Sequence, residues 1–402
     1  MKKVLSKPPA PRVALLIETS VSYGRDLLVG IAKYVRIHGP WSIEFEASAT
    51  CETLPDWFAK WKGDGIIARL KSEDLAKAVS KKGIPFVDLY GGLKEVSFPT
   101  VRSSEMAVGR LAAEHLLERG FRHFAYCGYN GIDWSDRRRV AFVQAITDSG
   151  YLCNVFENPQ PKSSSAGADY EQHGMKYERH LKKWLKSLPH PTGLMACNDS
   201  RGRQVLTFCR DLGLLVPDEL AVIGVDKDEV LGELSDLPLS SVILNTERIG
   251  FEAAALLERM MRGETPSQVE IAIEPKGVAT RRSTDVLAVD DRHIATAMKH
   301  IREYACDGLD VESLLRAVPL SRSVLERRFA QILGSSPKGE ILRVRLDRVC
   351  RLLVESELSL AEVAEKSGFE HPEYMSRLFK KKMGMTPGDF RRKSGTGGLP
   401  VR

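Results

Sequence analysis

Residues 359–387 read SLAEVAEKSGFEHPEYMSRLFKKKMGMTP, two short amphipathic runs joined by KSGF. In the first run Ser359 is followed three residues later by Glu362, which is the spacing of a helix capping box. We expect this helix to bury three apolar side chains: Leu360, Val363 and Ala364. Gly368 then supplies a turn and Phe369 an anchor in the core. The stretch therefore predicts two short helices packed across a tight turn.

The second run predicts a helix that begins near Pro372, since proline is tolerated at a first helical position. Its apolar residues recur at helical spacing and should be buried: Met375, Leu378, Phe379 and Met383. Polar side chains should face outward: Glu373, Tyr374, Ser376, Arg377, Lys380 and Lys381. Such a face can bind base edges and phosphates, as a recognition helix requires. The alternative is a helical interaction module that does not contact DNA.

An earlier segment, residues 310–337, repeats this plan as DVESLLRAVPLSRSVLERRFAQILGSSP. Asp310 should cap its first helix, Pro319 should mark the turn, and a second helix should begin at Ser321. The second helix should bury Leu325, Phe329 and Leu333. Its outward residues should be Arg322, Ser323, Glu326 and Arg327. Residues 337–355 predict a connecting helix of about 28 Å, so the two recognition helices can lie roughly 34 Å apart, in successive major grooves of DNA.

The charge of the chain is concentrated in the same part. Residues 293–402 hold 20 Lys and Arg against 14 Asp and Glu, which leaves 39 of each sign among the chain's 59 basic and 53 acidic residues. All of the net charge of +6 therefore lies in the last quarter of the sequence. This asymmetry is typical of a region that contacts a polyanion, although a solvated surface with a chance imbalance would also produce it.

This duplicated arrangement closely resembles the AraC/XylS DNA-binding domain over residues 294–393. The similarity is carried by LSRSVLERRF, LGSSP, RLDRVCRLL, LSLAEVAEKSGF and FKKKMGMTPGDFRR. Three positions depart from the family pattern: Leu315 replaces an alanine, Pro319 the turn glycine and Met375 a phenylalanine. These changes bear on the geometry of the first turn and the packing of the core. The resemblance implies an all-α domain with two helix-turn-helix units that binds DNA.

The first 280 residues alternate apolar strands with amphipathic helices. Strands are predicted at 12–18, 41–47, 65–70, 85–90, 123–128, 192–198, 220–226 and 240–245. Helices are predicted at 25–37, 103–120, 136–150, 200–212 and 247–262. Strands that are apolar throughout, separated by helices of this length, indicate parallel sheets covered on both faces. Ligands on such sheets bind beyond the carboxyl ends of the strands.

The order of these elements resembles the LacI and type I periplasmic-binding-protein sensors over residues 11–282, which implies two Rossmann-like lobes hinged around a sugar. SDRRRVAF is similar to the family's Arg-x-x-Gly-aromatic element and places Arg138 at its ligand-contacting arginine, with Ala141 in place of glycine. CNDSRG and VIGVDKDE match two further elements and place ligand contacts at Asp199 and Asp226. Lys227 departs from the acidic or amide residue usual in the last element.

The chemistry of a neutral polyol also favours these residues as ligand contacts, because its hydroxyls both donate and accept hydrogen bonds. Its site needs carboxylates and a fixed guanidinium in a dry cleft. Asp199 and Asp136 could instead be helix N-caps, and residues 137–139 a solvated charge cluster. The loop after the first strand offers further candidate contacts whose alternative is a plain helix start: Ser22, Tyr23 and Arg25.

Other functional classes find less support in the sequence. There is no P-loop, no dinucleotide glycine fingerprint, no nucleophile elbow and no metal-ligand spacing among the nine histidines, so we expect no enzyme activity, cofactor or metal. No stretch of roughly 18 apolar residues or signal-like segment occurs, and seven scattered cysteines suggest no disulfides or zinc site. A periplasmic transport receptor would need a secretion signal. We therefore expect a cytoplasmic protein that does not contact the membrane.

Together these observations predict an α/β protein: a two-lobed Rossmann-like sensor of periplasmic-binding-protein type I at 11–282, a linker at 283–293, and an all-α double helix-turn-helix domain at 294–393. The combination is similar to that of regulators of xylose operons. The resemblance implies a transcription factor that binds D-xylose and double-stranded promoter repeats, forms a homodimer, and acts with RNA polymerase as an activator. Another sugar, or repression, remains an alternative.

Overall fold

The computed structural model describes residues 10–47, 53–92, 98–157, 178–228, 237–266, 269–286, 291–356 and 358–394. Residues 159–169, whose composition PQPKSSSAGAD predicts a polar loop, and the tail after residue 394 lie outside these ranges. The chain divides into two compact units, residues 1–286 and 287–402. Each unit is considered separately below.

The first unit contains two six-stranded sheets with orders β11-β5-β4-β3-β1-β2 and β12-β10-β9-β8-β6-β7. The strands of the first sheet are β1 Arg12–Leu16, β2 Ser42–Phe45, β3 Gly65–Ala68, β4 Phe86–Asp88, β5 Thr100–Ser103 and β11 Glu270–Ile273. Those of the second are β6 His123–Cys127, β7 Cys153–Val155, β8 Thr192–Ala196, β9 Leu220–Val225, β10 Ser240–Ile243 and β12 Gly277–Ala279. Each sheet forms one lobe.

The helices of this unit are Ser22–His38, Glu73–Ser80, Glu105–Leu117, Asp133–Asp148, Glu178–Ser187, Asp199–Leu212 and Thr246–Met261. The predicted two-lobed α/β fold is confirmed: all described strand pairs are parallel except β10 with β12, which are antiparallel. The sequence reading missed four strands (β5, β7, β11 and β12) and the helices Glu73–Ser80 and Glu178–Ser187. The missed strands are only three or four residues long, and most of them lack a continuous apolar run.

Two glycines set the spacing of the helices that cover the first lobe. Helices Ser22–His38 and Thr246–Met261 pack against each other, and a Cβ atom on Gly30 would lie 2.0 Å from the carbonyl oxygen of Glu247. A Cβ atom on Gly250 would lie 2.1 Å from the carbonyl oxygen of Leu27. Any larger residue would force the two backbones apart, so this close crossing depends on glycine.

The chain passes between the lobes three times: from β5 into the helix Glu105–Leu117, from β10 into Thr246–Met261, and from β11 to β12. The crossings are tied to one another by backbone hydrogen bonds. Ser104 N donates to Ile273 O at 2.9 Å, and Lys276 N donates to Ile243 O at 2.8 Å. Adjacent, mutually bonded crossovers are an arrangement in which one lobe can rotate against the other about a shared hinge.

A buried polar network fixes the end of the first unit. His115 Nε2 lies 2.7 Å from Thr284 Oγ1, which in turn bonds Ser240 Oγ at 2.7 Å. Arg119 Nε donates to the Thr284 carbonyl oxygen at 2.8 Å. Ser283 is also buried and donates to Val222 O. Residues 283 and 284, expected in the linker, therefore pack into the second lobe.

The second unit consists of the helices Arg292–Tyr304, Val311–Ala317, Arg322–Leu333, Pro337–Glu355, Leu360–Lys366, Pro372–Met383 and Pro387–Ser394. Asp310 caps its helix by accepting from Ser313 N at 2.7 Å, and the capping box of Ser359 and Glu362 is present. The connecting helix has its predicted bounds. Three of the residues predicted to be buried are only partly buried: Leu333, Leu378 and Met383. The prediction for Leu360 was wrong: it is the first residue of its helix and is 36% exposed.

Close contacts join the turn of the second helix-turn-helix unit to the segment that precedes the first. Gly368 has φ +75°, and a Cβ atom there would lie 2.8 Å from the carbonyl oxygens of Ala305 and Cys306. Arg345 in the connecting helix donates to the carbonyl oxygens of Ala305 at 2.7 Å and Leu309 at 3.0 Å. The turn of the second unit and the connecting helix thus both rest on residues 305–309.

Burial lowers the pKa of His115 to about 3, and the nearby Arg119 contributes in the same direction. In the unfolded chain this histidine binds a proton near pH 6.5, whereas in the folded chain it stays neutral down to about pH 3. The free energy of unfolding is therefore unaffected by His115 above pH 6.5 and decreases as the pH falls from 6.5 toward 3. We expect a loss of about 1.4 kcal/mol per pH unit from this residue. Urea unfolding followed by tryptophan fluorescence should show a shallower pH slope in His115→Gln.

Tryptophan fluorescence reports on the first unit alone, because all five tryptophans precede residue 286: Trp41, Trp57, Trp61, Trp134 and Trp184. Equal slopes for the wild type and His115→Gln between pH 6.5 and 4.5 would contradict the assignment.

Candidate ligand cleft and DNA-reading surface

A helix crossing in the second lobe builds the centre of the candidate ligand cleft. A Cβ atom on Gly109 would lie 2.5 Å from the carbonyl oxygen of Arg138, so helices Glu105–Leu117 and Asp133–Asp148 approach at van der Waals distance. Glu105 lies one turn before Gly109 on the same face. The crossing therefore brings Glu105 against Arg138, and their side chains form an ion pair of 2.5 Å between Nε and Oε2.

Arg138 is held on several sides. It is 4% exposed, its Nη1 donates to Cys197 O at 2.6 Å, and its guanidinium lies 4.9 Å from the centre of the Trp134 ring. Burial acts to lower its pKa, but the carboxylates of Glu105 and Asp226 act more strongly together and raise it. Among the described residues, no hydrogen bond uses Nη2. Arg138 is a fixed, permanently charged donor.

Tyr23 and Asp226 reach the same place from different lobes. Tyr23 is the second residue of the helix Ser22–His38 in the first lobe, and Asp226 directly follows β9 in the second. Burial raises the pKa of Tyr23, and Glu105 and Asp226 raise it further, while Arg138 and Arg102 act in the opposite direction. Tyr23 of the first lobe is therefore within electrostatic range of Glu105, Arg138 and Asp226 of the second lobe.

The sequence reading missed part of the first-lobe wall. Arg69 follows β3, pairs with the buried carboxylate of Glu18, and lies 4.9 Å from the ring centre of Tyr23 and 5.6 Å from that of Tyr90. Their position in the sequence could have identified these residues. Glu18, Arg69 and Tyr90 each lie within two residues of the carboxyl end of a strand in one parallel sheet, where ligands bind. The wall carries a cation between two aromatic faces.

Two other predicted contacts of the first lobe lie differently. Ser22 is half-buried at the start of its helix. Arg25 is exposed, and its Nη1 donates to the carbonyl oxygen of Thr19 at 2.7 Å, which ties down the loop after β1.

Asp199 is 7% exposed at the start of the helix Asp199–Leu212. Its Oδ1 accepts from Ser241 Oγ at 2.8 Å and its Oδ2 from the backbone N–H of Asp228 at 2.9 Å. Burial raises its pKa to about 7, while these two hydrogen bonds lower it. The described contacts of this carboxylate are thus to protein groups, one on β10 and one in the loop after β9.

The alternative readings of these residues were wrong in three respects. Asn198, rather than Asp199, is the N-cap, because its Oδ1 accepts from Arg201 N at 2.9 Å. Asp136 lies inside a helix that begins at Asp133, three residues earlier than expected. Arg138 is buried rather than solvated. Its neighbours at 137 and 139 do form ion pairs at the surface.

A salt bridge joins the lobes beside the hinge. Arg102 on β5 of the first lobe donates from Nε and Nη2 to Glu270 at 2.9 to 3.0 Å. Its Nη1 donates to Asp133, in the second lobe, at 2.9 Å. Because Arg102 is buried, the pair is poorly screened by solvent and favours the lobe arrangement described here.

The predicted reading face of the first helix-turn-helix unit is exposed. Its residues are Arg322, Ser323, Glu326 and Arg327. Arg322 pairs with Glu326 at 3.1 Å and with Glu312 at 2.9 Å, so two carboxylates engage its guanidinium. Within the ranges that the structure describes, Arg327 makes no ion pair. Unlike Arg322, its guanidinium is therefore not engaged by a neighbouring carboxylate.

The predicted reading face of the second unit consists of Glu373, Tyr374, Ser376, Arg377, Lys380 and Lys381. All are exposed except Ser376, which is half-buried, and Met375 and Phe379 on the opposite face are fully buried. Across the described part of the chain, Arg377, Lys380 and Lys381 have no ion-pair partner. This face therefore presents uncompensated positive charge.

In the residues that the structure describes, no cluster of three or more His, Cys, Asp or Glu side chains could hold a metal ion. The same residues include no helix that is both long and apolar enough to cross a membrane. The six described cysteines form no disulfide with one another.

Comparisons with known proteins agree with this architecture. Residues 12–103 match a XylR N-terminal domain, 113–284 a periplasmic binding protein-like domain, and 314–393 a helix-turn-helix domain. The xylose operon regulatory protein of Escherichia coli K12 is 32% identical over 391 residues, covering 94% of this chain and 96% of that protein. The protein of the same name from Haemophilus influenzae is 32% identical over 388 residues, covering 94% and 98%.

A solved structure described as the xylose-binding transcription activator xylR aligns with a TM-score of 0.77 at 29% identity, covering 98% of this chain and 100% of that one. The fold and both surfaces define a sugar-responsive, DNA-binding transcription regulator. The chain belongs to the family of xylose operon regulatory proteins.

The Glu105–Arg138 pair depends on the close helix crossing, so Gly109→Ala should disturb both stability and the cleft. We expect a loss of about 1 to 3 kcal/mol in unfolding free energy, because the added methyl group meets backbone. Urea unfolding followed by tryptophan fluorescence measures the loss. Met106→Ala, at an exposed position of the same helix, is the control and should shift stability by less than about 0.5 kcal/mol. Similar midpoints for both variants would contradict this role of Gly109.

Proposed function

We propose that this chain binds D-xylose in the cleft between its lobes and activates transcription from promoter repeats that its C-terminal domain recognises. The observation that carries the sugar site is the buried Glu105–Arg138 ion pair, which lies within electrostatic range of Tyr23 on the first lobe and of Asp226 on the second. The family relatives named for the xylose operon favour xylose as the ligand.

The chemistry of the cluster suits a neutral polyol. Arg138 supplies a fixed cationic donor, Asp226 supplies acceptors, and Tyr23 supplies a hydroxyl that can do both. Burial raises the pKa of Tyr23, which keeps its proton in place at neutral pH. The Tyr23 and Tyr90 rings, with Arg69 beside both, offer flat apolar surface to the C–H face of a sugar. Of the other candidate contacts, Ser22 and Arg25 lie within two residues of Tyr23. Asp199 accepts a hydrogen bond from the backbone of Asp228, two residues after Asp226.

Ligand binding between the lobes explains how the protein can respond. Sugar that contacts Tyr23 on one lobe and Arg138 on the other binds the closed arrangement better than an open one, and only such differential affinity can shift the equilibrium. A coupling of about 1 to 3 kcal/mol would change DNA affinity roughly 5- to 150-fold. Residues 283 and 284, anchored in the second lobe, are the last described part of the sensor before the DNA-binding unit and would carry this change.

We further infer a cytoplasmic homodimer whose two C-terminal domains occupy repeated half-sites and contact RNA polymerase. The support is the pair of helix-turn-helix units, which reads one continuous half-site, together with the family membership. Two copies double the number of phosphate contacts and match a repeated site. Activation, rather than repression, is tested by a promoter fusion with and without the sugar.

Titration calorimetry of the full chain tests the sugar site. D-xylose should bind in preference to L-arabinose, D-ribose and D-glucose, and Arg138→Lys should weaken binding by at least about tenfold, because lysine lacks the planar fork that meets Glu105, Cys197 O and the ligand. Arg139→Lys is a matched control, since the neighbouring arginine pairs with Asp136 at the surface. Equal weakening in both variants would reject the cleft as the site.

DNA binding separates two roles on one helix face. Arg377→Ala should reduce discrimination between operator and random DNA by about 1 to 3 kcal/mol, because it removes a base-edge donor. Lys381→Ala, one turn later, should weaken all DNA similarly and reduce the slope of log affinity against log salt by about one. Fluorescence anisotropy at several salt concentrations measures both quantities. A uniform loss on every sequence in Arg377→Ala would overturn its role in base reading.

A further inference from the structure

The loop after β9 has an unusual backbone. Asp226 and Lys227 have φ values of 108° and 56°, and they are the only residues other than glycine with positive φ among those described. A non-glycine residue in this region costs on the order of 1 to 3 kcal/mol and persists only where surrounding contacts impose it. The carboxylate of Asp226, which raises the pKa of Arg138 and Tyr23, is therefore attached to strained backbone.

Three successive backbone N–H groups of this loop are each bound by a different acceptor. Asp226 N donates to Val242 O at 3.1 Å, Lys227 N to Ser241 Oγ at 2.9 Å, and Asp228 N to Asp199 Oδ2 at 2.9 Å. Two of the three acceptors are side-chain atoms. They come from the strand β10 and from the start of the helix after β8.

The two side-chain acceptors also hold each other. Ser241 donates its hydroxyl proton to Asp199 Oδ1 at 2.8 Å, which orients the oxygen lone pairs of Ser241 toward Lys227 N. Both oxygens of Asp199 are thereby occupied within the protein. Ser241 is fully buried and Asp199 nearly so, which strengthens these bonds.

Gly224 makes this arrangement possible. A Cβ atom at that position would lie 2.2 Å from Asp199 Oδ1, so only glycine on β9 leaves room for the carboxylate to reach Ser241. Such close packing leaves Asp199 no freedom to turn toward a ligand without giving up the loop.

We propose that Asp199 and Ser241 are positioning residues, which bind the backbone of residues 227–228 and thereby aim the Asp226 carboxylate into the ligand cleft, while Asp199 itself makes no sugar contact. This inference rests on the proposed sugar site. It changes the role of Asp199 from ligand contact to support, and it gives a function to Ser241.

Hydrogen exchange of the full chain tests the support without any sugar. In Ser241→Ala the amides of residues 227 and 228 should exchange at least about tenfold faster than in the wild type, since an acceptor is lost and the strained backbone relaxes. Ser240→Ala is the matched control, because the adjacent serine on the same strand is equally buried but bonds Arg281 and Thr284 instead. Unchanged exchange in Ser241→Ala would overturn the proposal whatever the ligand.

Calorimetry with D-xylose then tests the consequence through a double-mutant cycle. Ser241→Ala should weaken binding about tenfold in the wild-type background and have little further effect in Asp226→Ala, because a residue that acts only through Asp226 has nothing left to position. Ser241→Thr keeps the hydroxyl and should recover most of the affinity. Losses that add in the double variant would indicate a direct contact and overturn the positioning role.

Asp199→Asn provides a second discrimination. The amide oxygen can still accept from Asp228 N, so affinity should fall less than in Asp199→Ala. A wild-type chain that binds none of the sugars would overturn the proposed function and the consequence for affinity, whereas hydrogen exchange would still decide whether the loop is held as proposed.

Discussion

The buried ion pair between Glu105 and Arg138 is the constraint around which the sensor is organised. An isolated charge cannot be buried without a large cost, so each partner requires the other, and the loss of either would leave an uncompensated charge and cost about 3 to 5 kcal/mol. The pair forms because Gly109 allows two helices of the second lobe to touch. Its position beside the hinge places this determinant of stability at the candidate ligand cleft.

The same physical device recurs elsewhere in the chain: a glycine permits a close approach, and a polar side chain then fixes the approaching backbone. Gly224 admits Asp199 to the loop after β9, and Gly368 lets the turn of the second helix-turn-helix unit rest on residues 305–306, where Arg345 binds the carbonyl oxygens of Ala305 and Leu309. Packed interfaces have few alternative arrangements. Rigid contacts of this kind can therefore turn a small movement of an element into a switch between discrete structural arrangements.

Much of the fold could be predicted because its signals are local. Apolar runs gave the long buried strands, and cap residues such as Asp310 and Ser359 gave the starts of helices. Short edge strands such as β7 were missed because three residues carry no periodicity. In the candidate site, Arg69 was missed because nothing in GIIARL distinguishes an arginine in the wall of the cleft from a surface one.

The sequence by itself determined the order of domains, the two-lobed α/β class, the paired helix-turn-helix units and the exposed basic face around Arg377, since these follow from local spacing and from the order of elements. Only the tertiary structure decided which charges meet. Glu105 and Arg138 are 33 residues apart, and Tyr23 and Asp226 are about 200 apart, so their proximity depends on helix crossings and on chain reversals at the hinge. Local patterns specify elements, whereas the partner of a buried charge is chosen by how those elements pack.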